Sequence, residues 1–513
     1  MNHTRYDVVV VGAGPSGLTT AVAATRAGAR VLLVDAHAGT TIFPKATGLR
    51  PRTMEVLRTW GLEERIREGA QDLVVAGAMH TVLTGPVLQE FPLGAAAPDV
   101  LASLSPTTYA VAPQDHLEPV LLEQLLELGG EVRFGVRLQD LVQHEDGVTL
   151  AVTDADGEAA VEARWVVGAD GADSTVRRLV GVDVRVLGDE GEHLSTLFRA
   201  DLASHLPRPH YALHMIVKGE QFEVFVPSGT DGRWMHDREL HPERGDTAAS
   251  WTEERAVAAI RDATGLPDLD IEVIGSFPWS FAAAVADQVQ VGRAFLVGDA
   301  AHRTTPRGAT GMNTGMADGH NLGWKLGWVA RGLAGDELLA TYAEERYPVG
   351  LHNALASLEA FAPDRGTDLS HDFGVVYISR GIQPVATDPV TEDGAVVVAA
   401  PGARAPHAWV SHEGRRRSTL DLFEGRLTLL AGPGGTPWGD ALAATDAPVQ
   451  VLVVGTDVLD TTRDLERRYC LGSGAAVLVR PDGHVAWRLA AGDVVGLADA
   501  LTTILGRQPA ATV

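Results

Sequence analysis

Apolar residues fall into runs of two periods along the chain. Tyr6–Val11 is nearly unbroken valine and stops at Gly12, which predicts a strand buried on both faces. Residues 16–27 are alanine-rich and helical in pattern, and 31–34 form a second apolar run, so the first 35 residues predict a βαβ unit. Further on, 117–128 predicts a helix, 132–134 a strand, 138–161 a hairpin turning at Asp156-Gly157, and 165–167 a strand. Residues 294–297 repeat the short apolar strand, and 314–331 predicts a helix with Leu322, Leu326 and Val329 on one face.

Between 181 and 280 the pattern changes to mixed strands carrying His210, Tyr211, His214, Phe222, Phe225, Trp234 and Trp279, which predicts a separate sheet-rich layer facing a substrate. Residues 364–398 are loop-like around Pro363-Asp364-Arg365-Gly366 and Asp388-Pro389, and a boundary is expected near 395. Beyond it, 427–430, 449–454, 475–479 and 484–487 predict four strands, the last two joined at Asp482-Gly483, with a closing helix at 494–505. The expected division is an α/β nucleotide-binding domain in two parts (1–180 and 281–394), a sheet-rich domain (181–280, helped by about 70–105) and a compact tail (395–513).

Composition narrows the class. With 513 residues, 45% of them hydrophobic, the chain can bury several cores, which excludes disorder and fibre. The 42 basic against 67 acidic residues leave a net charge of −25, a field that repels nucleic-acid backbones and anionic lipid. No run approaches about 18 apolar residues and the first residues lack an export pattern, so neither membrane nor nucleic acid is an expected partner. Cys470 is the single cysteine, which permits no intrachain disulfide and fits a cytoplasmic location. No HExxH, GxSxG or Walker sequence occurs and no metal site is expected, so a cofactor must carry any redox chemistry.

Gly12-Ala13-Gly14-Pro15-Ser16-Gly17 lies between the first strand and helix. Glycine is needed there for the tight turn, for close approach of backbone to a pyrophosphate, and for helix-on-strand packing. Asp35 ends the second strand 18 residues beyond Gly17, where a carboxylate can meet a ribose. This fingerprint does not separate NAD from FAD. Two further motifs follow strands: Gly168-Ala169-Asp170-Gly171-Ala172-Asp173-Ser174, and Gly298-Asp299 continuing through Pro306, Gly308, Gly311, Met312, Asn313 and Gly315. Both are loops in which bare backbone and a helix start can approach a ligand.

These three motifs, in this order, resemble the class A FAD-dependent aromatic hydroxylases of the p-hydroxybenzoate hydroxylase type. The likeness extends through Lys45-Ala46, Gln114-Asp115-His116-Leu117-Glu118 and Asp318-Gly319-His320-Asn321 to about residue 350. Pro406-His407, Ser418 to Phe423 and Leu478 to Arg488 resemble the thioredoxin-like tail of the phenol hydroxylase branch, closest to hydroxylases of aromatic polyketides such as the aklavinone and tetracenomycin enzymes. The resemblance implies a Rossmann-like FAD-binding domain, a substrate domain and a thioredoxin-like C-terminal domain. It puts Gly12, Gly14, Pro15, Ser16, Gly17 and Asp35 on the ADP half of FAD, and Lys45 and Gln114 near its pyrophosphate and ribose. Asp299 is expected at the ribityl chain, Pro306, Gly308, Gly311, Met312 and Asn313 beside the isoalloxazine, and Asp170 in the motif tied to FAD and NAD(P)H.

The implied reaction is hydroxylation of a polycyclic phenol by O2, with NADPH or NADH as reductant, through a flavin C4a-hydroperoxide. The alternatives are a Baeyer-Villiger-type or other oxidative rearrangement, and a non-catalytic flavin- or drug-binding protein. Lys45 stands where the family usually has arginine, Asp173 replaces a commonly basic residue, and Asp35-Ala36-His37 lacks the usual Glu-Arg pair, which leaves the nicotinamide preference open. A homodimer is compatible with this reading. A base near the substrate hydroxyl would help, and the middle-region candidates are His210, Tyr211, His214 and His236. Trp234 and Trp279 either wall an aromatic pocket or pack in the core. Arg50 and Arg52 either reach a cofactor phosphate or begin a solvated helix. Gly432 to Trp438 carries no cysteine where a working thioredoxin has its dithiol, so the tail is read as structural; Cys470 is expected to be partly buried, and Arg415–Arg417 a solvated turn.

Overall fold

The computed structural model describes residues 5–93, 96–219, 221–359, 369–384, 391–392, 395–435, 437–443 and 447–507. Residues 363–366, Asp388-Pro389 and Thr436 lie outside this set. Five parallel strands, Ala294–Leu296, Gly157–Gly168, Tyr6–Val11, Val31–Asp35 and Glu131–Phe134, form the centre of the first sheet. Val8, Val10, Leu32, Leu33, Val166 and Val167 are fully buried, as unbroken apolar runs require when both faces are covered. The hairpin expected at 138–161 is a three-stranded meander, Arg137–Gln143, Val148–Asp154 and Gly157–Gly168.

Helix Gly311–Ala330 starts a turn earlier than its apolar pattern suggests and lies against helix Pro15–Arg26. Gly315, Gly319, Gly323 and Gly327 recur every four residues, about 6 Å apart along one face. A Cβ on Gly319 would sit 2.7 Å from the Ser16 carbonyl, on Gly323 2.5 Å from the Ala23 Cβ, and on Gly327 2.3 Å from the Ala27 Cβ. A Cβ on Gly315 or on Gly298 would collide with Ser16 Oγ. The Ser16 side chain of the first motif is therefore lodged between two glycines of the third.

The second sheet runs in the order His302–Arg303, Glu272–Ala286, Val184–Arg199, Arg233–Glu239, Gln221–Pro227, Tyr211–Lys218, Val74–His80, Gln89–Pro92. Helix Glu253–Thr264 covers one face, placing Ile260 and Ala263 on Phe198, Phe225 and Trp234. Trp234 is thus core. The other face presents Phe277, Trp279 and Phe281, residues that alternate on one strand.

In the tail, Val449–Val453, Leu427–Ala431, Ala476–Val479 and Val485–Leu489 form one sheet with a parallel first pair and antiparallel remainder, closed by helix Val494–Ile504. This is the expected thioredoxin-like arrangement. Two local expectations are corrected. Cys470 is exposed, because it ends a helix in the left-handed region at φ 48° and so points away from the core. Arg415–Ser418 is a strand paired with Trp409–His412, and Arg416 stacks on Trp409 at 3.9 Å.

The tail is joined to the helices by buried charge. Glu345 accepts from Lys325 Nζ at 2.8 Å, from Arg480 Nη1 and Nη2 at 2.6 and 2.8 Å, and from Asn321 and Ser379. Arg480 also pairs with Asp482, which reaches the Trp324 Nε1–H at 3.3 Å. Burial alone would raise the Glu345 carboxyl, but Arg480 and Lys325 outweigh it and hold it well below the carboxylate range. Asp318 is depressed in the same way by His302 and Arg346 against its burial.

Two outcomes follow from this packing. Gly323→Val must displace backbone and is expected to lower unfolding free energy by about 1–3 kcal/mol or more, read as a lower urea midpoint; an unchanged midpoint contradicts the close approach. Glu345 and Asp318 titrate lower in the folded chain than in the unfolded one, where carboxylates protonate near pH 4, so the unfolded chain binds more protons as pH falls. Stability is therefore present above about pH 4.5 and is lost as acid approaches the folded values. Glu345→Gln is expected to cost about 3–5 kcal/mol at pH 7 by leaving Lys325 and Arg480 uncompensated and to flatten part of the urea-midpoint slope between pH 6 and 3; an equal slope in both proteins contradicts this.

Candidate cofactor and substrate site

The first strand turns at Gly12, whose φ of 111° excludes a side chain and whose Cβ would meet the Ala169 carbonyl oxygen at 2.3 Å. Gly17 is equally confined, 2.0 Å from the Gly12 carbonyl. Gly14 differs, since a Cβ there has nothing within 4 Å. It caps helix Pro15–Arg26 without a side-chain hydrogen bond, so the first N–H groups of the helix face open space. That space could receive an anion as a cradle of free N–H groups.

Around it stand the predicted partners. Asp35 Oδ2 accepts from the Ala13 N–H at 2.7 Å, and Oδ1 accepts from the His37 N–H at 2.7 Å with the His37 ring Nδ1 at 2.8 Å. Asp35 therefore braces the glycine turn as well as lying at its edge. Gln114 donates from Nε2 to Glu118 at 2.7 Å, and the other Glu118 oxygen accepts from the Thr41 N–H. Burial raises the Glu118 carboxyl, although Gln114, Thr41 and Lys45 oppose that shift. Lys45 is exposed and lies close enough to act on Asp299 as well. Asp299 is open to solvent by surface area yet surrounded by protein that raises its carboxyl by desolvation, against His302, Arg303 and Lys45. The two observations agree if Asp299 is the floor of a cleft.

The second motif has a bracing role. Asp170 Oδ2 accepts from the Thr175 and Val176 N–H groups at 2.6 and 3.1 Å, while Oδ1 takes the Ser174 hydroxyl. Buried Arg177 then joins the Ala172 carbonyl to that of Ala300 at 2.6 and 3.0 Å, setting the second motif against the third. In the third, Pro306, Gly308 and Ala309 are exposed, with Gly308 at φ 80°. Met312 is half-buried at the helix start. Asn313 Oδ1 accepts from the Arg50 N–H and the Thr53 hydroxyl, and Nδ2 donates to the Gly48 and Ala309 carbonyls. Arg50 does not begin a solvated helix. It is buried, paired with Asp372 through Nε and Nη2 and bonded to the Gly308 carbonyl. Arg52 is turned toward the tail, bonding Glu55 and the Asp482 carbonyl.

Strand His302–Arg303 of this third motif pairs with Ala284 and Val285, so the loop is continuous with the second sheet. Arg307 lies over the Phe281 ring at 4.9 Å, and Arg303 donates to Ser280 Oγ at 2.7 Å. Phe277 packs on Phe43 at 5.0 Å, two residues before Lys45. The aromatic row Phe277, Trp279, Phe281 thus borders the cleft.

The four middle-region candidates do not gather there. His214 is buried among His80, Tyr211 and Trp234, and burial with His80 and His210 pushes it down to about 3, so it is neutral. His236 Nε2 meets Glu223 at 2.7 Å and stacks on Phe225 at 4.6 Å, on the helix-covered face. The Tyr211 hydroxyl donates to Glu90 at 2.6 Å, on the edge strand farthest from the loop. His210 precedes strand Tyr211–Lys218, its carbonyl accepting from the Val74 N–H. The residues that do share the aromatic row's face are His193, Ser195 and Asp237. His193 Nδ1 lies 2.8 Å from Asp237 Oδ1, and Asp237 Oδ2 accepts from Ser195 Oγ at 2.7 Å and Trp279 Nε1 at 2.9 Å. The i, i+2 spacing of His193 and Ser195 was visible in sequence, but not their meeting with Asp237 and Trp279 from two other strands.

Residues 5–355 match the FAD binding domain family and residues 399–508 the aromatic-ring hydroxylase C-terminal family. The chain is 35% identical to the tetracenomycin B2 monooxygenase-dioxygenase of Streptomyces olivaceus, with 95% of this chain and 96% of that protein aligned. It is also 35% identical to the aklavinone 12-hydroxylase of Streptomyces purpurascens, again over 95% and 96%. A crystal structure of aklavinone-11 hydroxylase with FAD and aklavinone superposes with a TM-score of 0.90 at 33% identity, covering 99% of this chain and 100% of that one. Among the described residues no helix is long and apolar enough to cross a membrane.

The cradle gives a clean contrast. Gly14→Val meets no protein atom and its φ of −74° suits any residue, so the apoprotein should keep its urea midpoint while FAD binds at least about tenfold more weakly. Gly12→Val should instead lower the midpoint. Undiminished FAD binding by Gly14→Val would remove the cradle from the cofactor site.

Proposed function

The chain belongs to the FAD-dependent aromatic-ring hydroxylases, and on that premise we propose that it hydroxylates a polycyclic phenol of the aromatic polyketide type with O2 and NADPH or NADH. The observation that carries the substrate class is the aromatic row Phe277, Trp279, Phe281 on the sheet face that continues into the loop 303–308. A flat fused-ring molecule fits such a wall, and the relatives named for aklavinone and tetracenomycin act on molecules of that kind.

FAD supplies the activation of O2 when bound. The chain's own residues position and shield it. The uncapped start of helix Pro15–Arg26 and Lys45 would hold its pyrophosphate, and Asp299 on the cleft floor would take a ribityl hydroxyl. The backbone of Gly308–Asn313 would border the isoalloxazine, and helix Gly311–Ala330, whose start also lacks a side-chain cap, would favour negative charge there. We read 1–180 with 281–394 as the FAD-binding domain, 181–280 as the substrate domain and 395–513 as the tail, with Val74–His80 and Gln89–Pro92 lending strands to the substrate sheet.

The test is the visible spectrum of purified protein followed by NADPH and NADH oxidation with aklavinone, related anthracyclinones and simple phenols. The expected result is flavin bands and oxidation accelerated by a polycyclic phenol, with a product one oxygen atom heavier. Nicotinamide oxidation that no phenol stimulates, with no oxygenated product, would overturn the reading.

A further inference from the structure

We infer that His193, oriented by Asp237, is the catalytic residue that takes the proton from the substrate's phenolic hydroxyl; this rests on the hydroxylase reading above. The geometry is that of an oriented base. An ionised carboxylate only accepts, so Nδ1 of His193 carries the proton shared with Asp237 and the lone pair is left on Nε2. Asp237 is itself fixed by two neutral donors, Ser195 Oγ and Trp279 Nε1. The imidazole is buried, and its ring lies 4.8 Å from Trp279 and 5.2 Å from Phe281, centroid to centroid. Among the described residues no hydrogen bond reaches Nε2, and that atom is not one of those sealed from solvent without a partner.

The position matches the task. Phe281 separates His193 from Arg307 of the loop that borders the flavin, so a ring lying along the aromatic row would have its hydroxyl near Nε2 and its face near the cofactor. In the step, the phenol O–H bond breaks, its electron pair stays on oxygen, and the proton forms an N–H bond at Nε2. The imidazolium is then paired with Asp237, and the proton returns to the product's oxygen. The phenolate has a more electron-rich ring for oxygen attack. The charged groups around His193 are Asp237, Glu239 directly across the strand pair, and Arg303 and Arg307 on the loop side. A purely structural His–Asp link would tie two strands and leave the state of a bound phenol unchanged.

His193→Asn separates these roles, because its amide can still donate to Asp237 while nothing replaces Nε2. The experiment uses the FAD-loaded protein without reductant and aklavinone as the probe, whose visible absorption reports ionisation of its phenols. In the parent protein the bound probe should ionise at lower pH than in water; in His193→Asn it should bind with similar affinity but stay neutral to at least the pH of free probe. With NADPH and O2, kcat should fall about 10²-fold or more while KM changes little. Asp237→Asn should shift ionisation in the same direction, and serves if His193→Asn does not fold. Parent protein that leaves the probe no more ionised than water does, or variants that ionise it at the parent's pH, would overturn the assignment. Ionisation that depends on His193 without any oxygenated product would refute only the hydroxylase reading.

Discussion

Everything in this molecule depends on how closely helix Gly311–Ala330 approaches helix Pro15–Arg26. Two helices with ordinary side chains lie 8–10 Å apart; here four glycines at every fourth position remove the intervening atoms. The approach seats Ser16 between Gly298 and Gly315, which sets the Gly12–Gly17 turn against the Asp299 turn and the long helix. A single added methyl group on that stripe would separate motifs that lie almost 300 residues apart in sequence.

Buried charge then holds the surroundings in one arrangement. Asp318 receives the Gly298 N–H, His302 and Arg346, and Glu345 receives Lys325 and Arg480. Glu55 accepts from Arg404 through both oxygens, at 2.8 Å from Nε with a second bond from Nη2. Each carboxylate unites the FAD-side helices with another part of the chain, and Arg404 and Arg480 bring the tail into the set. Such clusters are weak contributors to net stability compared with apolar packing, but a misplaced tail would leave several ions unpaired, which is strongly unfavourable.

The second sheet divides its two faces by strand alternation. Phe198, Phe225, Trp234, His214 and His236 lie on the side closed by helix Glu253–Thr264. Trp279, Phe281, His193 and Asp237 lie on the side bordered by Arg303 and Arg307 of the third motif. Two adjacent residues, His236 and Asp237, therefore have unrelated environments, one neighbouring the Phe225 ring and the other the Trp279 indole.

Much could be read from local pattern. Tyr6–Val11 and Val31–Asp35 follow from apolar runs, Gly12 and Gly17 from turn and packing geometry, and the tail strands from apolar segments punctuated by Asp482-Gly483. These features depend on neighbours within a few residues or on one short loop. The family resemblance came from the same source, since it rests on three local motifs and their order. Other features belong to the tertiary structure. Arg50 could be read from sequence as a phosphate ligand or as a solvated helix start, and folding buries it against Asp372, 322 residues away. The glycine stripe was present in the sequence, but its meaning lay in the partner helix. His214 and His236 were selected by residue type, whereas register and sheet coverage decided that His193 and Asp237, 44 residues apart, meet beside the cleft. Local sequence determines which groups a chain carries and which turns they start; which groups share a face depends on pairing between distant strands, and that is settled only when the whole sheet closes.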